Sequence, residues 1–171
     1  MVQVSVEYDR GKGFPGMEAS GINSQTRGAI EELVSTSDQY IPWGSPLVDD
    51  SGTIPGGVAL PSAAGQTFKG ILALNLQWGN TEESILSGEN QGLAPNSPAS
   101  VVTEGDRWVT VEGAVNAGDP VFFRHTAGVA PNDSATTFTN ANSADHDPVP
   151  GARFMSSTTA RGIAIVNLGG A

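Results

Sequence analysis

Two stretches of the chain say nearly the same thing: TFKGILALNL at 67–76 and TARGIAIVNL at 159–168. Each reads threonine, a spacer, a cation, glycine, isoleucine, three small or aliphatic residues, asparagine and leucine. Gly70 and Gly162 lead into the aliphatic runs Ile71, Leu72, Leu74, Leu76 and Ile163, Ile165, Val166, Leu168. Runs this short and this apolar read as strands entered through a glycine, with both faces covered. A second pair of phrases lies upstream, IPWGSPLV at 41–48 and VNAGDPVF at 115–122. In both, glycine permits an unusual φ and proline fixes φ at the start of the next strand, so Gly44-x-Pro46 and Gly118-x-Pro120 read as turns. The two phrases recur in the same order. Two copies are too few and too long for a solenoid, so the pattern predicts an internal duplication. The expected fold is all-β, a β-barrel or β-sandwich built from two related β-units, with an extended N-terminal arm.

The organisation follows from the repeat. The β-core spans 39–171, with units at 39–76 and 100–171 joined by a polar connector at 77–99, where Thr81–Leu86 could form one capped helical turn. If the units match, Gly70 and Gly162 occupy equivalent positions. The second copy is longer, and NDSATTFTNANSADHD at 132–147 is almost wholly polar, with Phe138 its one large apolar residue. It reads as an exposed loop added to that copy. SVVTEGDRWVTVEGAV at 100–115 reads as a hairpin turning at Glu104-Gly105-Asp106, with Val109 and Val111 on one face and Trp108 and Thr110 on the other. AIEELVSTSDQYI at 29–41 suits a helix by propensity, but the duplication favours a strand leading into Ile41.

Residues 1–38 are different. VQVSVEY at 2–8 alternates and could pair as an edge strand. DRGKGFPGMEASGINSQTRG at 9–28 has no periodicity and is rich in glycine, so it buries little by itself. It reads as either a solvated loop or an arm that orders on a partner, in which case Phe14, Pro15 and Met17 are the candidate contacts.

The chemistry that the sequence excludes is as informative. Among 171 residues there are 18 Asp+Glu against 8 Lys+Arg, a net charge of −10, and the cations are scattered singly. Such a surface repels nucleic acid. No run of about 18 apolar residues exists to span a membrane, and the first residues lack the apolar core of a secretory leader. Without cysteine there is no disulfide, thiol nucleophile or thiolate metal site. GKGFPG at 11–16 matches a dinucleotide-binding glycine pattern, but no helix starts within it, so no cofactor is expected. His146 between Asp145 and Asp147 has no second ligand cluster nearby, and His125 is isolated, so no metal is expected. The acidic pairs Glu31/Glu32, Asp49/Asp50 and Glu82/Glu83 read as solvated turns, because sequence neighbours cannot flank one bond. No nucleophile elbow is present and no catalytic residue is assigned. Trp43, Trp78 and Trp108 read as core or interface filling rather than a sugar platform.

The order GFPGMEASG, IPWGSPLV, VALPSAAGQTFKGILALN, VEGAVNAGDPVFF and TTARGIAIVNL resembles the capsid cement (decoration) proteins of tailed phages, from about Gly13 to the end. The resemblance implies an all-β structural protein of the virion, without catalytic residues. It would self-associate, as a homotrimer or homodimer, and clamp neighbouring major capsid proteins from the outside of the head. Two other readings remain at this stage: a carbohydrate-binding β-module on the virion surface, and a small hydrolase using a carboxylate pair.

Overall fold

A computed structural model describes residues 13–19, 30–74, 92–126 and 135–169. The expected edge strand at 2–8, the helical turn at 81–86 and Trp78 lie outside these residues. Among the described residues twelve strands run in chain order: β1 (Ile30–Ser35), β2 (Ile41–Pro42), β3 (Pro46–Asp49), β4 (Gly57–Ala59), β5 (Phe68–Leu72), β6 (Gly92–Leu93), β7 (Pro98–Val102), β8 (Gly105–Val111), β9 (Pro120–Arg124), β10 (Phe138–Thr139), β11 (His146–Phe154) and β12 (Gly162–Leu168). They close into two five-stranded barrels, β1-β4-β3-β5-β7 and β10-β8-β12-β11-β9, with β2 and β6 paired separately.

The barrels share one wiring. In each, the first strand pairs parallel with the third (β1 with β4, β8 with β10), and all other pairings are antiparallel. The match extends to single hydrogen bonds. Gly44 N–H donates to Leu72 C=O where Gly118 N–H donates to Phe154 C=O, and Leu72 N–H to Ser45 C=O where Phe154 N–H goes to Asp119 C=O. Ser45 N–H reaches back to Pro42 C=O as Asp119 N–H does to Asn116 C=O. Gly44 (φ 76°) and Gly118 (φ 93°) hold the third position of these two turns. That is the type II signature, which an L side chain resists. In the second turn, the Asp119 carboxylate accepts from Asn116 N–H and Asn140 Nδ2, and these bonds hold it below the usual carboxylate range.

The duplication therefore rests on the Gly-x-Pro turns and not on the Gly-Ile phrases. Gly70 lies within β5, whose counterpart is β11; Gly162 opens β12, whose counterpart is β7. The two glycines are not equivalent, and their environments show why. A Cβ at Gly70 would come within 2.5 Å of Val102 O and of the Val101 side chain, whereas at Gly162 the nearest atom is Ala160 O at 3.8 Å. One glycine answers a close strand approach and the other does not. The phrases look alike because two buried strands use the same aliphatic residues.

Three further expectations need correction. The first barrel takes in β1 and β7, so its unit runs from Ile30 to Val102 and the second from Gly105 to Leu168, rather than 39–76 and 100–171. Residues 100–115 are not a hairpin: β7 and β8 belong to different barrels, and Gly105 (φ 95°) redirects the chain between them. Nor is 132–147 a wholly exposed loop. Phe138 is fully buried in the second core, and Thr137, Thr139 and His146 are buried beside it. Its strand β10 is the counterpart of β4, so the polar stretch closes the barrel. The helix-or-strand ambiguity at 29–41 resolves to strand β1.

Core packing explains the near-continuous apolar runs. In the first barrel Leu47, Val58, Leu72, Ala99 and Val101 fill the interior, with Ile41 and Leu93 joining them. The alternate residues Val48, Ile71 and Val102 face outward and join the core of the second barrel. Strands with both faces buried lose the polar alternation of a solvent-facing sheet. Phe68 and Phe123 meet across the barrels with ring centroids 5.5 Å apart, and Gly65 N–H donates to Asp147 Oδ2 at 2.8 Å. In β8, Val109 and Val111 point into the core while Trp108 and Thr110 face outward.

Candidate functional site

The described part of the arm, residues 13–19, docks on its own chain where the barrels meet. Phe14-Pro15-Gly16-Met17 is a turn: Met17 N–H donates to Phe14 C=O at 3.0 Å, proline stands second and Gly16 third with φ 81°. This is again the type II arrangement, and the Pro-Gly pair specifies it. Gly16 N–H then donates to Trp108 C=O, Trp108 N–H to Met17 C=O and Ala19 N–H to Asp106 C=O, so the arm lengthens the second barrel's sheet along β8. Gly16 C=O accepts from Leu74 N–H of the first barrel. The described end of GKGFPG, at 13–16, is a turn packed on protein backbone, with Gly16 N–H committed to Trp108 C=O.

Close approach makes the docking specific. A Cβ on Gly16 would stand 2.7 Å from Leu74 N, and one on Gly44 2.6 Å from Gly16 N and 2.7 Å from the Pro15 side chain. Gly13 lies flat on the Trp108 indole. Gly44→Ala is expected to undock the arm. It combines a strained positive φ, worth about 1–2 kcal/mol, with a clash against backbone. Its readout is faster amide exchange at Gly16 and Ala19, with the β12 amides unchanged.

The side chains of the docked turn face out. Phe14 is 69% exposed and Met17 37%, while Pro15 is half-buried against Gly44. Beneath the arm, Arg107 is buried, and its Nη1 donates to Asp106 C=O at 2.8 Å. Burial draws its pKa down from the ordinary guanidinium value, opposed by the nearby carboxylates of Glu18 and Asp106. Glu18 pairs with Arg107 as a β-bridge, so the arm supplies the counter-charge for a cation it also covers.

A second cluster sits at one end of the second barrel, just past β8. Glu112 takes a bidentate ion pair from Arg124, whose Nη2 is 3.0 Å from Oε2, and accepts from Thr137 Oγ1 at 2.8 Å. His146 Nε2 lies 3.1 Å from Glu112 Oε2, and Ser143 Oγ 2.6 Å from His146 Nδ1. This Ser/His/acid line has no signature in the sequence, because Glu112, just past β8, lies 34 residues before His146. Its chemistry is that of a structural tie. The Glu112 carboxylate is already committed to Arg124 and Thr137. Ser143 Oγ also accepts from Asp145 N–H within a local turn. The first barrel has a tie at the equivalent place, where the Thr36 hydroxyl donates to Asp50.

The flanking acids of His146 diverge. Asp145 accepts from Thr126 Oγ1 and stands 3.9 Å from Arg124 Nη1, while Asp147 reaches across to Gly65. Among the described residues no group of three or more His, Asp or Glu could hold a metal ion. Trp43 packs against the first barrel's core and Trp108 lies under the arm, so neither is displayed as a sugar platform.

The comparisons agree with this architecture. The capsid of Myoviridae phage XM1 contains a chain with the same fold, at a TM-score of 0.63 and 19% identity, covering 92% of this chain and 93% of that one. No curated protein sequence matches the chain. The profile of the family described as structural cement protein (E217 gp24/Pam3 gp6) matches residues 2–169. With nearly its whole length matched, the chain belongs to the phage structural cement protein family and is a capsid-stabilising structural protein.

Proposed function

We propose that the protein sits on the outer surface of the head and bridges neighbouring major capsid proteins through the docked arm turn, acting by binding alone. The observation that carries this reading is Phe14. It is the most exposed large apolar side chain among the described residues, and it is held on a turn fixed to both barrels. A rigidly presented aromatic loses little entropy on binding, which is the property of an interface anchor. The net charge of −10 favours the outside of the shell over its DNA-filled interior. Assembly as a homodimer or homotrimer belongs to this reading, because linked contacts hold far better than single ones.

The test is co-sedimentation with shells of the cognate phage stripped of this protein. Fully burying a phenylalanine is worth about 1.5–3 kcal/mol, so Phe14→Ser is expected to weaken shell binding about tenfold to a hundredfold. The unfolding temperature of the free protein should not move, because the side chain is exposed there. Unchanged affinity would remove Phe14 from the contact.

A further inference from the structure

The two barrels differ at one equivalent edge. In the second barrel, β8 at Asp106–Trp108 lies beyond the short strand β10, and the arm fills the edge there. The shared register makes Ile30, Glu31 and Glu32 of β1 the counterparts of Asp106, Arg107 and Trp108. There β4 pairs with β1 only at Val34 and Ser35, and so it stops short of Ile30–Glu32. Along β1, Val34 and Thr36 N–H donate to Gly56 and Val58 C=O on the β4 side, while Ser35 N–H donates to Ser97 on the other. By alternation, Glu32 N–H and C=O and Ile30 C=O point to the β4 side. Their counterparts in β8 are the groups that bind Gly16, Met17 and Ala19. Among the described residues no strand pairing or backbone hydrogen bond reaches these groups from that side. Glu31 is correspondingly open: its side chain is 47% exposed, where Arg107 is 3% exposed under the arm.

The geometry points to this edge of β1, at Ile30–Glu32, as a strand-addition site for an extended segment of the capsid protein that carries a lysine or arginine opposite Glu31. The inference rests on the cement reading above. Charge selects the occupant. In the second barrel the arm presents Glu18 to Arg107; in the first barrel the acid is on the edge, so the incoming strand must bring the cation. A second copy of this chain, with 8 Lys+Arg against 18 Asp+Glu, is a poor source of it. The existing pair of Glu31 with Lys69, at 3.0 Å, is half-exposed and easily exchanged. Main-chain bonds would give the affinity and the ion pair the register.

Two variants and one direct measurement test this, using stripped shells of the cognate phage. Glu32→Pro removes the outward N–H, and proline is tolerated on an edge facing solvent. Glu31→Arg reverses the selecting charge without touching the backbone. Each is expected to fold normally and to bind shells at least about tenfold more weakly, as loss of a charge-assisted contact implies. In hydrogen exchange of the wild-type protein, the Glu32 amide should exchange freely in solution and become protected on the shell. Protection already present in the free protein would show that this chain itself fills the edge and would overturn the inference. So would wild-type binding by Glu31→Arg. If wild-type protein fails to bind shells at all, the cement reading fails instead, which is a separate result.

Discussion

Replacing Glu112 by alanine is expected to cost the free protein about 3–5 kcal/mol, because it takes the bidentate partner from the buried Arg124 guanidinium and leaves it the exposed Asp145 carboxylate 3.9 Å away. The two side chains are 13% and 10% exposed, so water replaces little of what is lost. For a domain of this size the loss lowers the unfolding temperature by about 6–20 °C. Removing both charges, as Glu112→Met with Arg124→Leu, should cost much less, since an apolar pair leaves no uncompensated ion. A cost as large as the single variant's would mean that the cluster acts through shape and not charge. Acid probes the same tie. Burial pushes the Glu112 carboxyl up, but hydrogen bonds from Arg124, Thr137 and His146 outweigh it and hold the pKa below 4.5. The folded form therefore binds its proton less readily than the unfolded one. This contribution is complete above about pH 4.5 and is lost as pH falls through the depressed value. Urea denaturation from neutral to acid pH should show the wild type losing stability in that window, and Glu112→Gln losing less.

The same cluster shows what the sequence could and could not say. Gly-x-Pro turns are local: glycine at a positive φ followed by proline specifies geometry within four residues, and both copies can be read directly. The equivalence of Thr36–Asp50 with Glu112–Arg124 has no such signature. The first tie is a hydroxyl on a carboxylate and the second an ion pair, so the position is shared while the chemistry is not. Strand partnership was invisible for a related reason. Leu72 and Val166 each face a barrel interior, but nothing in an aliphatic run says which neighbour it pairs with. Gly70 and Gly162 were therefore matched on composition across non-equivalent strands. In the described part of the arm, Gly13 and Gly16 let the backbone lie against Trp108 and Gly44, so this short stretch is ordered by close approach to its own barrels. Phe14, Pro15 and Met17 stand out in the sequence as large apolar groups in a polar stretch.

Deleting residues 1–19 should change the free protein modestly and the decorated shell greatly. The described arm makes four backbone hydrogen bonds to the barrels, from Gly16, to Met17, from Ala19 and to Gly16. Each is worth about 0.5–1.5 kcal/mol net, and the entropy lost in ordering the arm's backbone opposes them, so docking adds little to the stability of the free protein. Its loss should move the unfolding temperature by only a few degrees, on the order of 1–2 kcal/mol. The bare edge at Asp106–Trp108 should raise the tendency to aggregate, as unpaired strand edges do. On the shell the balance is different, because the arm presents Phe14 and Met17 together. Losing both, at about 1.5–3 kcal/mol each, should weaken binding at least about a hundredfold. At a protein concentration a hundred times the wild-type Kd, each occupied site stabilises the shell by about 2.7 kcal/mol, and the deletion removes nearly all of it. Shells mixed with the deleted protein should then disrupt at the temperature of bare shells, while wild-type protein raises it. If the deleted protein raises the disruption temperature as far as the full chain does, the clamp lies on the barrels and the arm has no part in it.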